Sequence, residues 1–246
     1  MNEVIRQLNA RKSVRAYTDR EIGKAEKEAI LMAAAQAPTA GNQQLYTIID
    51  VTDQAIKDTL VRTCDNQPFI ADAKLVLIFC ADCKKWYDAF RFAGCEPRLP
   101  GVGDLALAIS DATIAAQNAV VAAESLGIGS CYIGDIMENC DTQREILGLP
   151  EYVKPVCMVV IGVPTQQQKE RKKPARFDVA DVVHENTYKP AGAEGFRAML
   201  EKRQGISGED MDRWLLAFTK RKWNCDFSRE MSRSAAQMIS EWCEGK

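Results

Sequence analysis

The segment "DLALAISDATIAAQNAVVAAESL", residues 104–126, decides the fold class of this chain of 246 residues. It is rich in alanine and carries few charges, and Gly127 follows it where a helix commonly ends on a left-handed glycine. A helix with so little charge is expected to be buried, and its small side chains let neighbouring backbones approach closely. The segment therefore predicts a long core helix with other elements packed around it.

Short apolar runs on both sides of this helix predict strands. "LYTIIDV" (45–51) is rich in β-branched residues, and "AKLVLIFCAD" (73–82) contains a continuous apolar run, as in a strand that is buried on both faces. "SCYIGDI" (130–136) and "KPVCMVVIGVP" (154–164) predict two more strands. Helices are predicted over 3–10, 24–37, 53–64 and near 141–148, the third with Asp53 as its N-cap. The polar stretch "TQQQKERKK" (165–173) is expected to be a solvated loop.

The last part of the chain, from about Gly192, predicts two or three amphipathic helices with Trp214, Trp223 and Trp242 as anchors. We find no internal repeat and no clear linker. The pattern therefore favours one α+β domain, with a core over residues 1–190 and a helical carboxy-terminal extension of the same domain over residues 191–246.

Composition excludes several classes of protein. The formal net charge is -2 and the pI about 5.7, which argues against the broad basic face that binds nucleic acid. No run of about 18 apolar residues or secretory signal is found, so neither a membrane span nor export is expected. Nine scattered cysteines, an odd number, suit a reducing compartment, and we expect a cytoplasmic protein.

The usual catalytic motifs are missing. "CADC" (80–83) has no second cysteine pair at zinc-like spacing, so its cysteines are assigned to the core and no metal site is expected. "PGVGD" (100–104) is not a dinucleotide fingerprint. His184 is the one histidine and has no nucleophile elbow to serve, so a packed or capping role is expected. If the protein is an enzyme, its chemistry is expected to come from a bound cofactor.

Two basic segments stand out in this nearly neutral chain. Arg11, Lys12 and Arg15 surround Ser13 in "RKSVR", and "RKKPARF" (171–177) follows a predicted strand and its loop. Guanidinium forks with a hydroxyl are suited to binding a phosphate group. The alternative is that both segments are solvated surface patches. The spacing favours two cationic clips that hold one phosphate monoester between them.

Six motifs in order resemble the FMN-dependent nitroreductase family. They are "RKSVRAYTDREI", "APTAGNQQLYTIIDVTD", "CDNQPFIADAKLVLIFCAD", "AAQNAVVAAESLGIGSCYIGDI", "IGVPTQQQKERKKPARF" and "VVHENTY". They span about residues 1–190, and the long tail makes the chain most similar to the larger NADPH-nitroreductase and flavin-reductase group. The resemblance implies a central mixed β-sheet flanked by helices, a homodimer, and an FMN-binding core over residues 1–190.

The resemblance also implies the roles of particular residues. The first clip holds the FMN phosphate and reaches the pyrimidine edge of the flavin, and the second clip completes the phosphate site; Ala175 interrupts the usual Lys-Pro-Arg there. Further residues reach the flavin from the partner subunit. "CYIGD" packs behind the ring, with the backbone N–H of Gly134 facing the flavin N5, where a fixed dipole stabilises developing charge. The implied cofactor-binding residues are Arg11, Lys12, Ser13 and Arg15; Thr39, Gly41, Asn42 and Gln44; Gln67 and Phe69; Tyr132, Ile133 and Gly134; and Lys173 and Arg176.

The function implied is hydride transfer from NAD(P)H to nitroaromatics, quinones or free flavin by a ping-pong mechanism, with no side chain needed as nucleophile or proton relay. The alternative is a flavin-binding or flavin-storage module with little turnover. Arg203 is the candidate contact for the extra phosphate of NADPH, and which nicotinamide is preferred stays open. Residues 84–103 form either part of the substrate mouth or a surface excursion.

Overall fold

A computed structural model describes residues 1–245 of the chain. Over these residues the strands are β1 (Tyr46–Asp50), β2 (Leu75–Asp82), β3 (Gly129–Ile133) and β4 (Val153–Gly162). The helices are α1 (Glu3–Ala10), α2 (Lys24–Ala35), α3 (Gln54–Thr63), α4 (Phe69–Asp72), α5 (Lys84–Phe92), α6 (Val102–Ser125), α7 (Cys140–Leu147), α8 (Gln166–Glu170), α9 (Val179–Val182), α10 (Gly192–Gln204), α11 (Gly208–Lys222) and α12 (Asp226–Glu244). Short 3₁₀ turns lie at Ala40–Asn42 and Gly134–Met137.

The four strands form one sheet in the order β1-β2-β4-β3. All three strand pairs are antiparallel, and the β2–β4 register shifts between Phe79 and Cys80. The predicted α+β class is confirmed. The resemblance implies a mixed sheet, but over residues 1–245 the only parallel pairing is an isolated bridge between Ser13 and Ser130 in β3. Pairing of β3 with residues 13 and 14 brings the first basic segment to the edge of the sheet.

The central helix α6 packs on one face of the sheet, as its sequence predicts. Its buried positions are mostly alanine, and they share a core cluster with Leu77, Phe79 and Val159. A second cluster covers the opposite face and includes Ile70, Ile78 and Met158. Because both faces are covered, β2 and β4 are buried along their whole length, which explains their continuous apolar sequences. By length and composition alone α6 could also cross a membrane, but its alanine face lies in this packed core.

Helix boundaries follow local capping signals. The Asp53 carboxylate accepts a hydrogen bond of 2.7 Å from the Ala55 backbone N–H, which confirms the predicted start of α3. Gly127 has a φ of 73° just beyond α6, as expected for the residue that ends a helix. The prediction of a solvated loop over residues 165–173 is wrong in its first half, because Thr165 caps the short helix α8.

The predicted helical tail is present as α10, α11 and α12. Of its three tryptophans, Trp242 is fully buried and Trp223 is 78% exposed, so the prediction that Trp223 anchors the tail is wrong within this chain. The Trp214 ring stacks on Phe218 at a centroid distance of 4.7 Å.

The chain forms two compact units. One contains Met1–Arg171 together with the C-terminal segment from Glu230, and the other is Lys172–Arg229. The division at residue 190 between core and extension stays a prediction. The second unit contains α9, α10 and α11, and within it the ring of Phe177 packs against Phe196.

Candidate cofactor site

The first basic segment runs along the outer edge of β3. The Val14 backbone N–H donates to the Ser130 carbonyl oxygen over 2.9 Å, and the Thr18 N–H donates to the Val163 carbonyl oxygen over 2.8 Å. Residues 13–18 are therefore bound at both ends to the backbone of the sheet and of the chain that leaves β4. This attachment fixes where the side chains of the basic segment begin.

Helix α8 packs against the same segment. The Gln168 side-chain oxygen accepts a hydrogen bond of 3.3 Å from the Arg15 backbone N–H, and the Thr165 N–H donates to the Ala16 carbonyl oxygen over 3.2 Å. The Lys12 ammonium donates to the carbonyl oxygens of Lys169, at 2.7 Å, and of Arg171. Four hydrogen bonds thus join α8 and the residues that flank it to residues 12–16.

Arg171 completes this cluster, and sequence reasoning did not single it out. Its guanidinium Nη2 donates to the Ser13 carbonyl oxygen. Its Nε atom is buried and has no hydrogen-bond partner among residues 1–245, and the same holds for the Nε atom of Arg11. A buried N–H that lacks a partner is costly, so these two groups call for an acceptor that the described part of the chain does not supply.

A phosphate monoester fits this donor set. It offers three acceptor oxygens and a negative charge, and guanidinium groups bind such oxygens through charge-assisted hydrogen bonds. Arg11 and Arg171 supply the cationic donors, and Arg171 contacts the backbone carbonyl oxygen of Ser13, two residues after Arg11 in the sequence. The arrangement favours a bound phosphate over a solvated surface patch.

Arg15 and Phe69, which the sequence predicts to share one site, meet in the structure. The Arg15 guanidinium lies 5.8 Å from the centroid of the Phe69 ring, within the range of a cation–π contact. Gln67, two residues before Phe69, donates from its side-chain amide to the Cys64 carbonyl oxygen over 2.9 Å. Because the amide nitrogen is used in this contact, the Gln67 side-chain oxygen is the group that could accept a hydrogen bond from a ligand.

The end of β3 presents two side chains to opposite faces of the sheet. The Tyr132 hydroxyl donates to the Gln117 side-chain oxygen on α6 over 3.2 Å, and burial raises the pKa of Tyr132 well above its usual value. Ile133 is 1% exposed, so only its backbone can meet a ligand. A Cβ built on Gly134 would meet no atom within 4 Å, so the backbone there borders open space. A ligand can approach Gly134 closely.

The loop with the predicted partner-facing residues is held by a buried carboxylate. Asp111, on α6, is 2% exposed and accepts hydrogen bonds from the Thr39 hydroxyl, from the Ala40 N–H at 2.9 Å and from the Leu45 N–H at 3.1 Å. Sequence reasoning missed Asp111; the signal was one acidic residue in the middle of an alanine-rich helix. It ties the loop to the core helix.

The same loop carries its other predicted residues at the surface. Gly41, Asn42 and Gln44 are exposed and have φ values of 55°, 57° and 50°. The Gln44 side-chain amide is turned back to the Ala35 carbonyl oxygen, at 3.0 Å. Gly41 and Asn42 therefore form the outward tip of the loop.

The remaining predicted residues lie in the second unit. Arg203 places its guanidinium 4.1 Å from the centroid of the Phe177 ring, and Lys173 and Arg176 precede that ring in the sequence. The second clip and the NADPH contact therefore belong to a different unit from the first clip, and their predicted roles stay predictions.

His184 and the cysteines of "CADC" have structural roles. The His184 Nδ1 accepts a hydrogen bond of 3.0 Å from the Lys189 backbone N–H in the same loop, and its ring packs on Tyr188, so of the two expected roles the structure shows packing. Cys80 and Cys83 are buried, and burial raises the pKa of each thiol to about 12. Residues 1–245 contain no group of His, Cys, Asp and Glu side chains suited to holding a metal ion.

Residues 84–103 are partly helical and border a cavity of about 260 Å³. The cavity lies beside α5 and the start of α6, and Trp86, Tyr87 and Phe90 line it together with the ion pair of Arg98 and Asp104. The Trp86 indole N–H donates to the Gln43 carbonyl oxygen over 2.7 Å, which joins this segment to the loop at residues 39–44.

Comparison with known proteins identifies the family that these elements define. Residues 8–163 match the family described as Nitroreductase family. An FMN reductase (NADPH) of Bacillus subtilis is 30% identical over 236 residues, which cover 90% of this chain and 93% of that protein. An oxygen-insensitive NADPH nitroreductase of Salmonella typhimurium is 34% identical over 192 residues, covering 77% and 76% respectively. The chain belongs to the nitroreductase family.

Solved structures show the same fold. The NADPH:FMN oxidoreductase of Vibrio harveyi, complexed with NAD+, matches with a TM-score of 0.81 at 25% identity, covering 97% of this chain and 98% of that one. Nitroreductase A of Vibrio parahaemolyticus matches with a TM-score of 0.77 at 28% identity, over 83% and 85% of the two chains. The predicted fold and family are therefore confirmed.

Proposed function

We propose that this chain is an FMN-dependent oxidoreductase that transfers hydride from NAD(P)H to a nitroaromatic compound, a quinone or free flavin. The observation that carries the proposal is the pair of buried, unpartnered guanidinium Nε atoms of Arg11 and Arg171 beside Ser13. Those atoms suit the phosphate end of FMN: Arg11 directly precedes the segment that pairs with β3, and Arg171 contacts that segment at the Ser13 carbonyl oxygen. The relatives named above as NADPH-dependent reductases support the same activity.

FMN, when bound, supplies a ring that accepts a hydride and later gives it up. The residues of this chain have the tasks of binding and orientation. Arg11 and Ser13 hold the phosphate, and Arg15, supported by Phe69, holds the polar edge of the ring. Gly134 lets the backbone approach the ring closely, because no side chain stands in front of it. A backbone N–H at this place stabilises negative charge with little reorganisation.

We also propose that the enzyme is a cytoplasmic homodimer. Leu107 and Ile114 on α6 are 48% and 38% exposed, whereas the alanines of the same helix that face the sheet are buried. A second copy would cover this apolar surface. In that arrangement Gly41 and Asn42, at the outward tip of their loop, reach the partner's cofactor. Neither a membrane nor a nucleic acid is proposed as a partner.

Arg203 is proposed as the contact for the additional phosphate of NADPH. Its guanidinium is supported by the Phe177 ring, while neighbouring Lys202 pairs with Asp178. A guanidinium fork of this kind suits a phosphate monoester. The flavin-storage alternative is less well supported, because the related proteins are named for NADPH-dependent reduction.

The experiment is a visible spectrum followed by initial-rate kinetics. The purified protein is expected to be yellow and to release FMN on acid treatment. Because the chain at Tyr132–Gly134 is proposed to cover one face of the ring, donor and acceptor must use the other face in turn. Plots of reciprocal rate against reciprocal NADPH concentration, at several fixed quinone concentrations, should therefore give parallel lines. Bound FMN with no NAD(P)H oxidation would favour the storage module, and a colourless protein that takes up no FMN would refute both.

A further inference from the structure

The cavity beside α5 contains none of the residues assigned to the candidate cofactor site. Leu45 and Cys83 are the buried part of its lining, and Trp86, Tyr87 and Phe90 are the aromatic part. The rings of Trp86 and Phe90 lie 5.5 Å apart between centroids and are tilted by 40°. Phe90 is 38% exposed, so the aromatic part of the lining is open to solvent and to a ligand.

The polar groups of the lining are already paired. The Trp86 indole N–H donates to the Gln43 carbonyl oxygen over 2.7 Å. The two charged residues, Arg98 and Asp104, form an ion pair in which Arg98 Nη2 donates to Asp104 Oδ1 over 3.0 Å. Burial raises the pKa of Cys83 to about 12, so its thiol is neutral at physiological pH. A lining without net charge favours a neutral ligand, because a charged one would lose its hydration without gaining a counter-ion.

Arg98 keeps donors for such a ligand. A guanidinium group has five N–H donors, and three of those of Arg98 bind the Asp104 carboxylate and the Leu99 carbonyl oxygen. The other two can donate to a carbonyl or nitro oxygen. The Arg98 side chain is 74% exposed, so these donors lie at the edge of the cavity and not among its buried residues.

The size of the cavity limits the ligand to a small molecule. Its volume is about 260 Å³. Pockets for drug-sized ligands measure about 300–1,000 Å³, and an apolar cavity of about 150 Å³ already holds benzene. The space therefore fits one aromatic ring with a small substituent.

We propose that this cavity is a second binding site, which takes a neutral single-ring aromatic compound with a carbonyl or nitro oxygen. The ring packs against Trp86, Tyr87 and Phe90, since aromatic rings prefer offset or edge-on partners, and the oxygen accepts a hydrogen bond from Arg98. The site goes beyond the proposed function, because binding there requires neither FMN nor hydride transfer.

Binding at this site is linked to the loop at residues 39–44. Trp86 holds that loop at the Gln43 carbonyl oxygen, and the Leu45 backbone N–H donates to the Asp111 carboxylate over 3.1 Å. The loop is thus attached both to the cavity lining and to α6. A ligand that immobilises Trp86 restrains the loop as well, and its backbone amides should exchange hydrogen more slowly.

The first experiment is a titration of 4-fluoroacetophenone into the purified protein without NADPH, followed by fluorine NMR. For a ligand of about ten non-hydrogen atoms we expect a dissociation constant on the order of 1 mM. Phe90→Ala should weaken binding about five- to tenfold, as for a lost aromatic contact. Phe92→Ala is the matched control, because Phe92 is on the same helix, is 95% exposed and is not part of the lining. It should bind as the wild type does.

A second variant and a second measurement locate the ligand. Phe90→Trp should fill part of the cavity and abolish binding, with an unchanged circular dichroism spectrum as evidence of folding. Hydrogen exchange followed by mass spectrometry should show protection of residues 39–45 and 84–104 by the ligand in the wild type and not in Phe90→Trp.

The outcomes separate this inference from the proposed function. Equal dissociation constants in wild type, Phe90→Ala and Phe90→Trp overturn the inference, as does a wild-type protein that binds no ligand. Protection confined to residues 130–136 places the ligand beside Gly134 alone, which overturns the second site and leaves the proposed function intact. A colourless protein that takes up no FMN but shows the expected loss of binding in Phe90→Ala supports the second site and refutes the proposed function.

Discussion

Two glycines set the distance between the basic segment and the sheet. A Cβ on Gly129 would lie 2.5 Å from the Val14 Cγ2, and a Cβ on Gly162 would lie 2.5 Å from the Tyr17 Cδ1. Real side chains essentially never approach so closely, so residues 14 and 17 would have to move. Val14 lies between Ser13 and Arg15, and a shift there would displace the residues proposed to hold the cofactor.

Gly129→Ala is therefore expected to lower both stability and FMN affinity. Overpacking of this kind costs about 1–3 kcal/mol in the free energy of unfolding, which urea denaturation with circular dichroism measures. Gly103→Ala is the matched control, because a Cβ there meets nothing within 4 Å inside α6. It should be neutral or stabilise by up to about 1 kcal/mol. Equal effects of the two substitutions would show that close packing at Gly129 is unimportant.

Glu138 makes the stability of the protein depend on pH. Glu138 directly follows the 3₁₀ turn after β3. Burial, together with the nearby carboxylates of Asp135, Asp65 and Glu230, raises the pKa of Glu138 to about 7. The folded state therefore holds this proton at pH values where the unfolded state has released it. The contribution of Glu138 to stability is fully present below about pH 4.5, the ordinary pKa. It is lost as the pH rises toward 7.

Glu138→Gln should remove that decline between pH 4.5 and 7, because glutamine stays neutral. The measurement is the melting temperature across this range for wild type and variant. Glu145→Gln, an exposed glutamate on α7, is the control and should keep the wild-type slope. Parallel profiles for wild type and Glu138→Gln would exclude Glu138 as the source of the dependence.

At the scale of the elements, α12 closes the core through one tryptophan. Trp242 is fully buried, its indole N–H donates to the Gly101 carbonyl oxygen over 3.1 Å, and its ring meets Tyr152 edge-on at 5.7 Å. In the same helix Glu241 pairs with Lys154 on β4, whose side chain is 5% exposed. The C-terminal helix is thus part of the core of the first unit.

Trp242→Ala is expected to cost about 3–5 kcal/mol in the free energy of unfolding, as for other large aromatic side chains removed from a core. Trp223→Ala, at a tryptophan that is 78% exposed, should change it by no more than about 0.5 kcal/mol in the monomer. Urea unfolding followed by circular dichroism tests both. If Trp223→Ala lowers the free energy of unfolding as much as Trp242→Ala does, a second surface must cover Trp223. Unfolding midpoints that depend on protein concentration would then identify that surface as a subunit interface.

The elements that the sequence predicts well are those whose signals are local. The apolar runs of β2 and β4 and the Asp53 cap of α3 needed no knowledge of distant contacts. Helix α8 was missed because five residues form a stable helix only with tertiary support, here from residues 12–16. Asp111 was missed, and Arg171 was not singled out within its basic segment, for the same reason: what defines each is a partner more than 60 residues away. Helical periodicity in the tail could not tell Trp242 from Trp223 because it does not show which face another element covers.

At the scale of the whole molecule, α1 and α6 are among the helices whose apolar side chains the single chain leaves exposed. On α1, Val4, Ile5 and Leu8 are 52%, 45% and 43% exposed and form one face of an amphipathic helix. On α6, Leu107 and Ile114 lie two helical turns apart and are likewise exposed. Apolar surface of this extent commonly marks an interface with another protein.

Leu107→Asp is expected to convert the proposed homodimer into monomers. FMN is expected to dissociate over the same range of protein concentration as the dimer. The charge would have to be buried in an apolar interface, which is costly when it has no partner. FMN should be lost as well, because Gly41 and Asn42 of one subunit are proposed to complete the site of the other. Sedimentation velocity monitored at both 280 and 450 nm follows protein and flavin together. Phe92→Asp, at a residue that is 95% exposed on α5, is the control and should remain dimeric and yellow.

A wild-type protein that sediments as a flavin-loaded monomer at micromolar concentration would contradict the proposed dimer, since interfaces that form part of a site commonly bury about 2,000 Å² or more and leave little free monomer. A Leu107→Asp monomer that keeps its FMN would instead show that one chain holds the cofactor alone, through Arg11, Ser13 and Arg171, and that the loop at Gly41 and Asn42 is not required for binding.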